Sequence, residues 1–266
     1  MTASFQGNKS LLLFGSVISL EAETMNISDE LTIVIPAKNE EKLLPRLLLS
    51  LEEQDYSLMA NTKVILADAD STDRTIPIAM KFAKSLALTV IQGGLPSVGR
   101  NRGAICADSR YILFLDADIE LADPTLIRRA VDLMKKKSLH CVTTDIFCCG
   151  GIWLDHFLYT CNNLVQRLSR FHKPFATGMF MLLDKEEFDR IGGFDEKALF
   201  AEDYQLTRQI ERTRFRVLRG GIYSTNRRFI KMGHWKIIRF FVSTAVNGRK
   251  PNYYRNRYYE AYWEAY

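Results

Sequence analysis

The segment that decides the fold is YILFLDAD, Tyr111 to Asp118, in which five apolar or aromatic residues end in two aspartates. An apolar run of this length followed by turn-forming residues predicts a buried strand. Because side chains alternate along an extended chain, Asp116 and Asp118 are expected to point the same way. Two converging carboxylates suit Mg²⁺ or Mn²⁺, which keeps open positions for substrate phosphates. The alternative, in which one aspartate caps the next helix and the other is solvated, stays open on this segment alone.

Strand-like and helix-like segments alternate on both sides of this run. The first half predicts strands at 31–36, 63–67 and 88–91, and helices at 41–54, 74–86, 100–108 and from Pro124 to the lysines 135–137. This alternation predicts an α/β fold with a mostly parallel sheet covered by helices on both faces. Beyond residue 140 we expect strands at 141–147 and 178–183, helices at 185–191 and from Asp203, and a helical aromatic segment at 235–266.

The bulk composition narrows the class of protein. The chain has 266 residues, of which 47% are hydrophobic, enough to build one large α/β domain. A net charge of +5 suits an anionic substrate or an acidic membrane surface, but it is too diffuse to indicate a nucleic-acid partner. The five cysteines are odd in number and form no Cys-x-x-Cys pair, which disfavours zinc and a disulfide framework. Reduced thiols in the cytoplasm fit best.

Three groups of carboxylates fall where predicted strands or loops end: Asp68/Asp70/Asp73, Asp116/Asp118 and Glu202/Asp203. Between the first two groups lies Arg100-Asn101-Arg102-Gly103, at a predicted helix start. Helix N-termini favour anions, and arginine adds bidentate contacts to phosphate. One rim of the sheet would therefore combine a metal site, phosphate donors and hydrogen-bond acceptors, which describes a site for a nucleoside diphosphate with a metal on its phosphates.

Six short motifs occur in an order and spacing that resemble a known family. They are TIVIPAKNE (32–40), DADSTDRT (68–75), GRNRG (99–103), FLDAD (114–118), GGFDE (192–196) and AED (201–203). Together they make the chain similar to a family-2 glycosyltransferase of the nucleotide-sugar-dependent GT-A fold, over roughly residues 31–235. The resemblance implies transfer of a sugar from a nucleoside-diphosphate sugar to an acceptor hydroxyl, with a divalent metal (Mn²⁺ or Mg²⁺) and inversion by single displacement. The acceptor could be a glycan, a lipid carrier or a small molecule.

The resemblance also implies roles for individual residues. Asp68 would accept the imino hydrogen of uracil or guanine, Asp118 would bind the metal, and Asp116 would lie near the metal and the ribose or donor sugar. Asp203, beside Glu202, would take the proton of the acceptor. The other predicted donor-binding residues are Pro36, Ala37, Asn39, Glu40, Asp70, Arg100, Asn101 and Ala117. The second motif departs from the usual Asp-Asp-Gly-Ser by reading Asp68-Ala69-Asp70-Ser71, so that ribose contacts are either looser or made by Asp70.

Two features near residue 230 allow more than one interpretation. His234 follows the predicted core, where some enzymes with the GT-A fold place a metal-binding histidine, and it is otherwise a surface or packing residue. Arg227 and Arg228 precede it in a predicted polar loop, where they either grip the diphosphate or an anionic acceptor or are simply solvated.

The two ends of the chain are predicted to stand apart from a catalytic domain at 29–234. Within that domain the nucleotide-sugar half covers about 29–120 and the acceptor half about 121–234. The apolar run 11–20 is too short to span a bilayer, and no convincing small-x-small cleavage site follows it. Residues 1–28 would be a poorly ordered extension, with Met25 as the true translation start because it lies just ahead of the first predicted strand. The 235–266 segment is aromatic and basic, and its tyrosine stripe consists of residues 254, 258, 262 and 266, four residues apart. This composition suits peripheral contact with the inner face of the cytoplasmic membrane, or packing of the tyrosine stripe on the domain.

Two other classes of protein fit parts of the pattern. A strand that ends in Asp-x-Asp also opens the active site of haloacid-dehalogenase-type phosphatases, but there the pair follows the first strand of the core. Here the first strand ends in Pro36-Ala37-Lys38-Asn39-Glu40 instead. A non-catalytic nucleotide-sugar-binding protein is the other alternative, and a protein of that kind would not need Glu202 and Asp203.

Overall fold

A computed structural model describes residues 29–248 and 253–255 of the chain. The predicted extension 1–28 and tyrosines 258, 259, 262 and 266 lie outside these residues. The strands are β1 Leu31–Ala37, β2 Lys63–Asp68, β3 Leu88–Gln92, β4 Tyr111–Leu115, β5 Ile119–Glu120, β6 Cys141–Cys149, β7 Phe180–Asp184 and β8 Phe215–Thr225. The α-helices are α1 Leu44–Glu52, α2 Thr75–Lys81, α3 Pro96–Ile105, α4 Leu126–Lys137, α5 Trp153–Ser169, α6 Lys185–Arg190, α7 Glu202–Thr207, α8 Arg227–Met232 and α9 His234–Asn247.

The strands form one mixed sheet in the order β3-β2-β1-β4-β7-β6-β8-β5. Strands β3, β2, β1 and β4 are all parallel, as are β6 and β8, whereas β7 runs antiparallel to both β4 and β6. The predicted α/β class with a mostly parallel sheet is therefore confirmed. Because β7 is antiparallel, its first residue, Phe180, pairs with Leu115, the last residue of β4. The chain just before β7 consequently lies beside Asp116.

The central strands are apolar on both sides because helices cover both faces of the sheet. In β1, Ile33 and Ile35 face one core cluster together with the leucines of α1. Val34 faces the other cluster, with Phe114 of β4. Burial on both faces explains the continuous apolar run that marks each of these strands in the sequence.

Helix α3 begins at Pro96, four residues before its predicted start at residue 100. Proline suits the first turn of a helix, since its fixed φ is helical and its missing N–H would have no partner there. Arg100 thus lies in the second turn rather than at the helix N-terminus, and the predicted anion site at a helix start is wrong for this residue.

Several elements along the chain differ from the prediction. Helix α5 and strand β8 were not predicted, and the predicted polar loop at Arg227 and Arg228 is the start of α8. The predicted helix 74–86 is shorter, ending at Lys81. Helicity at the start of the 235–266 segment is confirmed by α9. Tyr254, the first member of the tyrosine stripe, is buried against Phe200, with ring centroids 5.6 Å apart, so at this residue the stripe packs on the domain.

Gly103 marks the closest approach of α3 to the sheet. A Cβ at this position would overlap the Val34 side chain of β1. We expect Gly103→Ala to lower the free energy of unfolding, because overpacking costs about 1–3 kcal/mol and exceeds the roughly 1 kcal/mol that alanine gains in helix propensity.

Urea denaturation would measure the effect of Gly103→Ala. The control is Ile105→Ala on the same helix, where the isoleucine is exposed and the expected change is within about 0.5 kcal/mol. Equal stabilities of the two variants would contradict the packing argument.

Candidate active site

The two aspartates that follow β4 lie at the carboxyl edge of the parallel strands. Asp116 accepts a hydrogen bond from Arg100, and its backbone N–H donates to the carbonyl of Met179, just before β7. The Asp118 side chain is 12% exposed and lies near the guanidinium of Arg227, 3.3 Å away. Both carboxylates line one cavity of about 930 Å³, although the chain turns at residues 117 and 118 and does not stay extended as predicted.

Arg100 is the buried link between the two halves of this cavity. One of its Nη atoms lies 2.6 Å from Asp116, and the other lies 2.6 Å from Glu202 at the start of α7. Burial opposes the charge, but the two carboxylates raise the pKa of Arg100 above its usual value. Both Nη atoms are therefore engaged by carboxylates, so a contribution of Arg100 to donor binding passes through Asp116.

Gly178 makes room for this arginine. A Cβ at residue 178 would collide with Nη2 of Arg100. The backbone N–H of Gly178 also donates to Asp203, at 2.7 Å, so that one residue without a side chain positions both the arginine and the acidic residue. The sequence offered no signal for this role, because Gly178 comes close to Arg100 only through the antiparallel β7.

Asp203 is the acidic residue on the acceptor side of the cavity. It accepts backbone hydrogen bonds from Gly178 and Tyr204, both at 2.7 Å. Burial, followed by the negative charge of Glu202, raises the pKa of Asp203 to about 7. A carboxylate with a pKa near neutrality can accept a proton efficiently in a transition state. Ala201, in the left-handed conformation with φ of 52°, places Glu202 and Asp203 in the first turn of α7.

Arg227 lines the cavity beside Asp118 and pairs with Glu40. They form a bidentate ion pair, with N–O distances of 2.7 and 3.1 Å. Burial raises the pKa of Glu40, although the hydrogen bond from Arg227 opposes this. Burial and the neighbouring charge of Asp116 likewise raise the pKa of Asp118. Burial is the main cause of both shifts, and a cation bound near these carboxylates would favour their charged forms.

The residues at this edge fit a divalent cation that shares its ligands with a substrate. Within residues 29–248 and 253–255, no group of three or more His, Cys, Asp or Glu side chains forms a complete metal cage. Mg²⁺ is commonly held by one or two carboxylates together with phosphate oxygens and water. Asp116 and Asp118 supply oxygen ligands of this kind at the cavity.

The loops after β1 and β2 form the predicted nucleoside side of the site. Asp68 is buried; its Oδ2 accepts from the backbone N–H of Ser71 at 2.9 Å, and its Oδ1 has no partner. Asn39 ties the two loops together, because its side chain accepts from the N–H of Thr72 at 2.8 Å. A buried carboxylate oxygen without a partner costs free energy unless a ligand donates to it. Asp68 is therefore built to receive a donor group.

The other predicted donor-site residues occupy different environments. Pro36 and Ala37 end β1, where Ala37 pairs in register with Asp68. Asp70 is exposed and accepts from Gln92 at 3.0 Å. Ala117 is buried between the two aspartates.

Asn101 is tied to the loop that follows α6. Its amide donates to the carbonyl of Phe194 and accepts from the N–H of the same residue, at 2.9 and 3.0 Å. It thereby holds the turn that begins at Gly192 and Gly193, and its predicted donor contact stays a prediction.

His234 has a partner other than the Asp116 and Asp118 pair. Its Nε2 lies 2.6 Å from Oδ1 of Asp155, and its ring stacks on Phe229 with a centroid separation of 5.3 Å. His234 is not among the residues that line the cavity with Asp116 and Asp118. It instead joins the first residue of α9 to the first turn of α5, and metal binding by His234 stays a prediction.

Asp155, the hydrogen-bond partner of His234, was not among the residues predicted from the sequence. Besides His234, it accepts from the backbone N–H of Ile152 and from the side chain of Asn226. Burial opposes ionisation, but these hydrogen bonds outweigh it and lower the pKa of Asp155. Its only sequence signal was its place near the start of a helix that was itself not predicted.

The mixed α/β sheet with helices on both faces has the GT-A fold. The model of Glycosyl transferase family 2 matches residues 32–193, more than half of the chain. The chain therefore belongs to this family and not to the phosphatases considered from the sequence.

Individual relatives match parts of the chain. The 4,4'-diaponeurosporenoate glycosyltransferase of Staphylococcus haemolyticus is 38% identical over 106 residues, which are 38% of this chain and 26% of that protein. The structure of Staphylococcus aureus TarS 1-349 in complex with UDP-GlcNAc superposes with a TM-score of 0.59 at 22% identity, covering 74% of this chain and 58% of the other.

A second structural neighbour comes from an archaeon. The mannosyltransferase PcManGT of Pyrobaculum calidifontis, in complex with GDP-Man and Mn²⁺, has a TM-score of 0.58 at 18% identity and covers 85% of this chain and 72% of that one. Likenesses at these identities show the shared fold. The chain spans about a quarter of the diaponeurosporenoate enzyme and just over half of the TarS fragment.

Replacing Arg100 should lower the free energy of unfolding, because two carboxylates would lose the positive charge that pairs with them. Arg100→Met leaves Glu202 and Asp116 without their partner, and we expect a loss of about 3–5 kcal/mol in the free energy of unfolding. Adding Glu202→Gln should restore part of that loss, because a neutral side chain is less costly to bury.

Denaturant unfolding of the single and double variants measures this coupling. Arg102→Met on the same helix is the control, since Arg102 is exposed and is expected to change stability by less than about 1 kcal/mol. Additive losses in the double variant would show that Arg100 and Glu202 do not form an energetic unit.

Proposed function

We propose that this glycosyltransferase is metal-dependent and moves a sugar from a nucleoside-diphosphate sugar to an acceptor oxygen with inversion at the anomeric carbon. The observation that carries the proposal is that Asp116, Asp118 and Asp203 line the same cavity. The aspartates after β4 would serve the donor diphosphate, and Asp203 would serve the acceptor.

The donor is proposed to place its base at the ends of β1 and β2. The partnerless Oδ1 of Asp68 would accept the imino N–H of uracil or guanine. Asn39 would hold the loop against which the nucleoside packs. The fold shared with TarS, whose structure contains UDP-GlcNAc, and with PcManGT, whose structure contains GDP-Man, supports a donor of one of these two nucleotide classes.

Asp118, with Asp116 beside it, would hold Mg²⁺ or Mn²⁺. A bound divalent cation neutralises the charge that develops on a departing diphosphate. Arg227, which lies 3.3 Å from Asp118, would add a contact to the phosphates when the donor is present.

The transfer is proposed as a single displacement in which Asp203 acts as general base. The acceptor oxygen forms its bond to the anomeric carbon while the bond from that carbon to the diphosphate breaks. The electron pair of the broken bond leaves with the diphosphate, and the acceptor proton passes to Asp203. Arg100 positions the reacting groups, because it ties Asp116 to Glu202, the neighbour of Asp203.

Peripheral contact with the cytoplasmic face of a membrane is also proposed. Helix α9 exposes Trp235, Phe241 and Val246, with Lys236 and Arg239 between them, and this mixture suits a bilayer interface. All five cysteines are free, as expected in a reducing compartment. Across the part of the chain that the structure describes, none of the helices is both long enough and apolar enough to cross a membrane.

Donor binding should depend on Asp118 and on metal. UDP or GDP together with Mn²⁺, at one hundred times the dissociation constant measured with the metal, should stabilise the protein by about 2.7 kcal/mol, and a rise in melting temperature would report this. Asp118→Asn should remove the manganese-dependent part of the rise, because the substitution removes a charged metal ligand.

Asp108→Asn is the matched control, since Asp108 is an exposed carboxylate away from the cavity. A manganese-dependent rise that persists in Asp118→Asn would refute the assignment of the metal site. Absence of any nucleotide effect in the wild-type protein would remove the proposed function itself.

Asp203→Asn should lower turnover at least a hundredfold, because a positioned general base contributes about 10²–10⁴ to the rate. In the wild-type protein the base must be ionised, so kcat should rise with pH through about 7 and then level off. Steady-state kinetics between pH 5 and 9, with the donor identified by the thermal measurement, would test both expectations.

Asp189→Asn, at an exposed carboxylate, should leave the turnover and the pH profile unchanged. Donor binding by Asp203→Asn should also be normal, since Asp203 is assigned to the acceptor. Near-normal turnover in Asp203→Asn would exclude this residue as the base.

A further inference from the structure

The cavity that holds the carboxylates continues as a cleft between α5 and α9. Its volume of about 930 Å³ lies near the upper end of the range of small-molecule sites, roughly 300–1,000 Å³. Most of the surface of its lining is apolar. The wall residues are Leu158, Cys161, Val165 and Leu168 from α5, and Ile238, Phe241, Val242, Ala245 and Val246 from α9.

The walls of this cleft are open to water. Val165 is 54% exposed and Val242 is 58% exposed, although both side chains line the cavity. Monomeric proteins rarely leave large contiguous apolar surfaces in water, and such surfaces commonly mark binding sites. The wall side chains named above are apolar apart from the weak donor Cys161, so this part of the cleft suits an apolar group better than a sugar.

Polar residues also line the cavity. Thr177, Asn162 and Thr225 are among the lining residues, together with Asp203. Burying a polar group is costly unless it is hydrogen-bonded, so an occupant that reaches these residues is expected to carry a polar end there.

We propose that the acceptor is an amphiphile whose oxygen nucleophile lies at Asp203 and whose long hydrocarbon chain lies between α5 and α9. The inference rests on the proposed function, because it names the acceptor class of the same site. An acceptor is favoured over a protein partner because the cleft is continuous with the catalytic carboxylates, where transfer requires an acceptor oxygen. Lys173 and Arg208 also line the cavity, which suits an acceptor taken from an anionic lipid surface.

The α5 helix offers a matched pair of residues for the test. Val165 lines the cavity, and its neighbour Leu164 does not, yet their exposed fractions are 54% and 56%. Val165→Asp and Leu164→Asp therefore add the same charge to the same helix at equally exposed positions. Only the first places the charge in the cleft. Similar melting temperatures of the two variants would confirm that both are folded.

The probe is the fluorescent fatty acid cis-parinaric acid, displaced from the full chain by primary alcohols of six to twelve carbons. We expect the affinity to rise about fourfold for each added methylene, which corresponds to the transfer of one buried CH₂ from water. Val165→Asp should weaken binding of the twelve-carbon alcohol at least tenfold, and Leu164→Asp should leave it unchanged.

Three results would overturn the proposal: affinities independent of chain length, equal effects of Val165→Asp and Leu164→Asp, or alcohol binding that tracks the dissociation of a dimer. The last result would assign the cleft to a second copy of this chain. The manganese-dependent nucleotide shift is measured on the same preparation. If that shift is present and the alcohols do not bind as predicted, the inference about the acceptor is refuted and the proposed function stands. If the shift is absent, the proposed function is refuted.

Discussion

A single buried guanidinium couples the two halves of the site. The Arg100 side chain is 3% exposed and bridges Asp116, which follows β4, to Glu202, in the first turn of α7. Burying a charge is costly unless it is paired and hydrogen-bonded, so this arrangement is stable only with both carboxylates in place. The Arg100 ion pairs therefore help to fix the two sides of the cavity relative to each other, together with the Gly178–Asp203 hydrogen bond and the pairing of β4 with β7. Gly178 accommodates the arginine by lacking a side chain.

This constraint gives the cavity two chemically different walls. On the proposed donor side, Asp116 and Asp118 place two carboxylates in the cavity. Outside the lining, Asp68 at the end of β2 presents a buried acceptor without a partner. On the other side the lining becomes apolar between α5 and α9, with Asp203 at the junction. The link between Asp155 and His234 holds the first turns of these two helices together, and so contributes to the spacing of the apolar walls.

Apolar runs in the sequence predicted the strands of the first half, because burial on both faces of the sheet requires them. Strand β4 followed from an apolar run, and β1, β2 and β3 were placed within one residue of their bounds. Asp116 and Asp118 do line one cavity, but a turn at residues 117 and 118 brings them there, and not strand alternation. The place of Arg100 could not be predicted in the same way, because its partner Glu202 is 102 residues distant in the chain and its helix begins at Pro96.

Helix α5 reverses the usual contrast of an amphipathic helix, in which the apolar face packs on the core. Its buried residues are Asp155, Tyr159, Asn163 and Gln166, whereas Trp153, Phe157 and Leu164 are exposed. Exposed apolar side chains of α5, such as Val165 and Leu168, also form one wall of the apolar cleft. His234 shows the opposite case, in which a scarce residue suggested metal chemistry and the structure instead gave it a carboxylate and an aromatic ring as partners.

The most direct test of the account is a crystal structure of the protein with Mn²⁺ and the nucleoside diphosphate that it binds most tightly. We predict an anomalous manganese peak within coordination distance of Asp118 and the nucleobase beside Oδ1 of Asp68. Asp203 should be free of nucleotide on the proposed acceptor side. A manganese peak away from Asp118, or a diphosphate bound at Asp203, would contradict it.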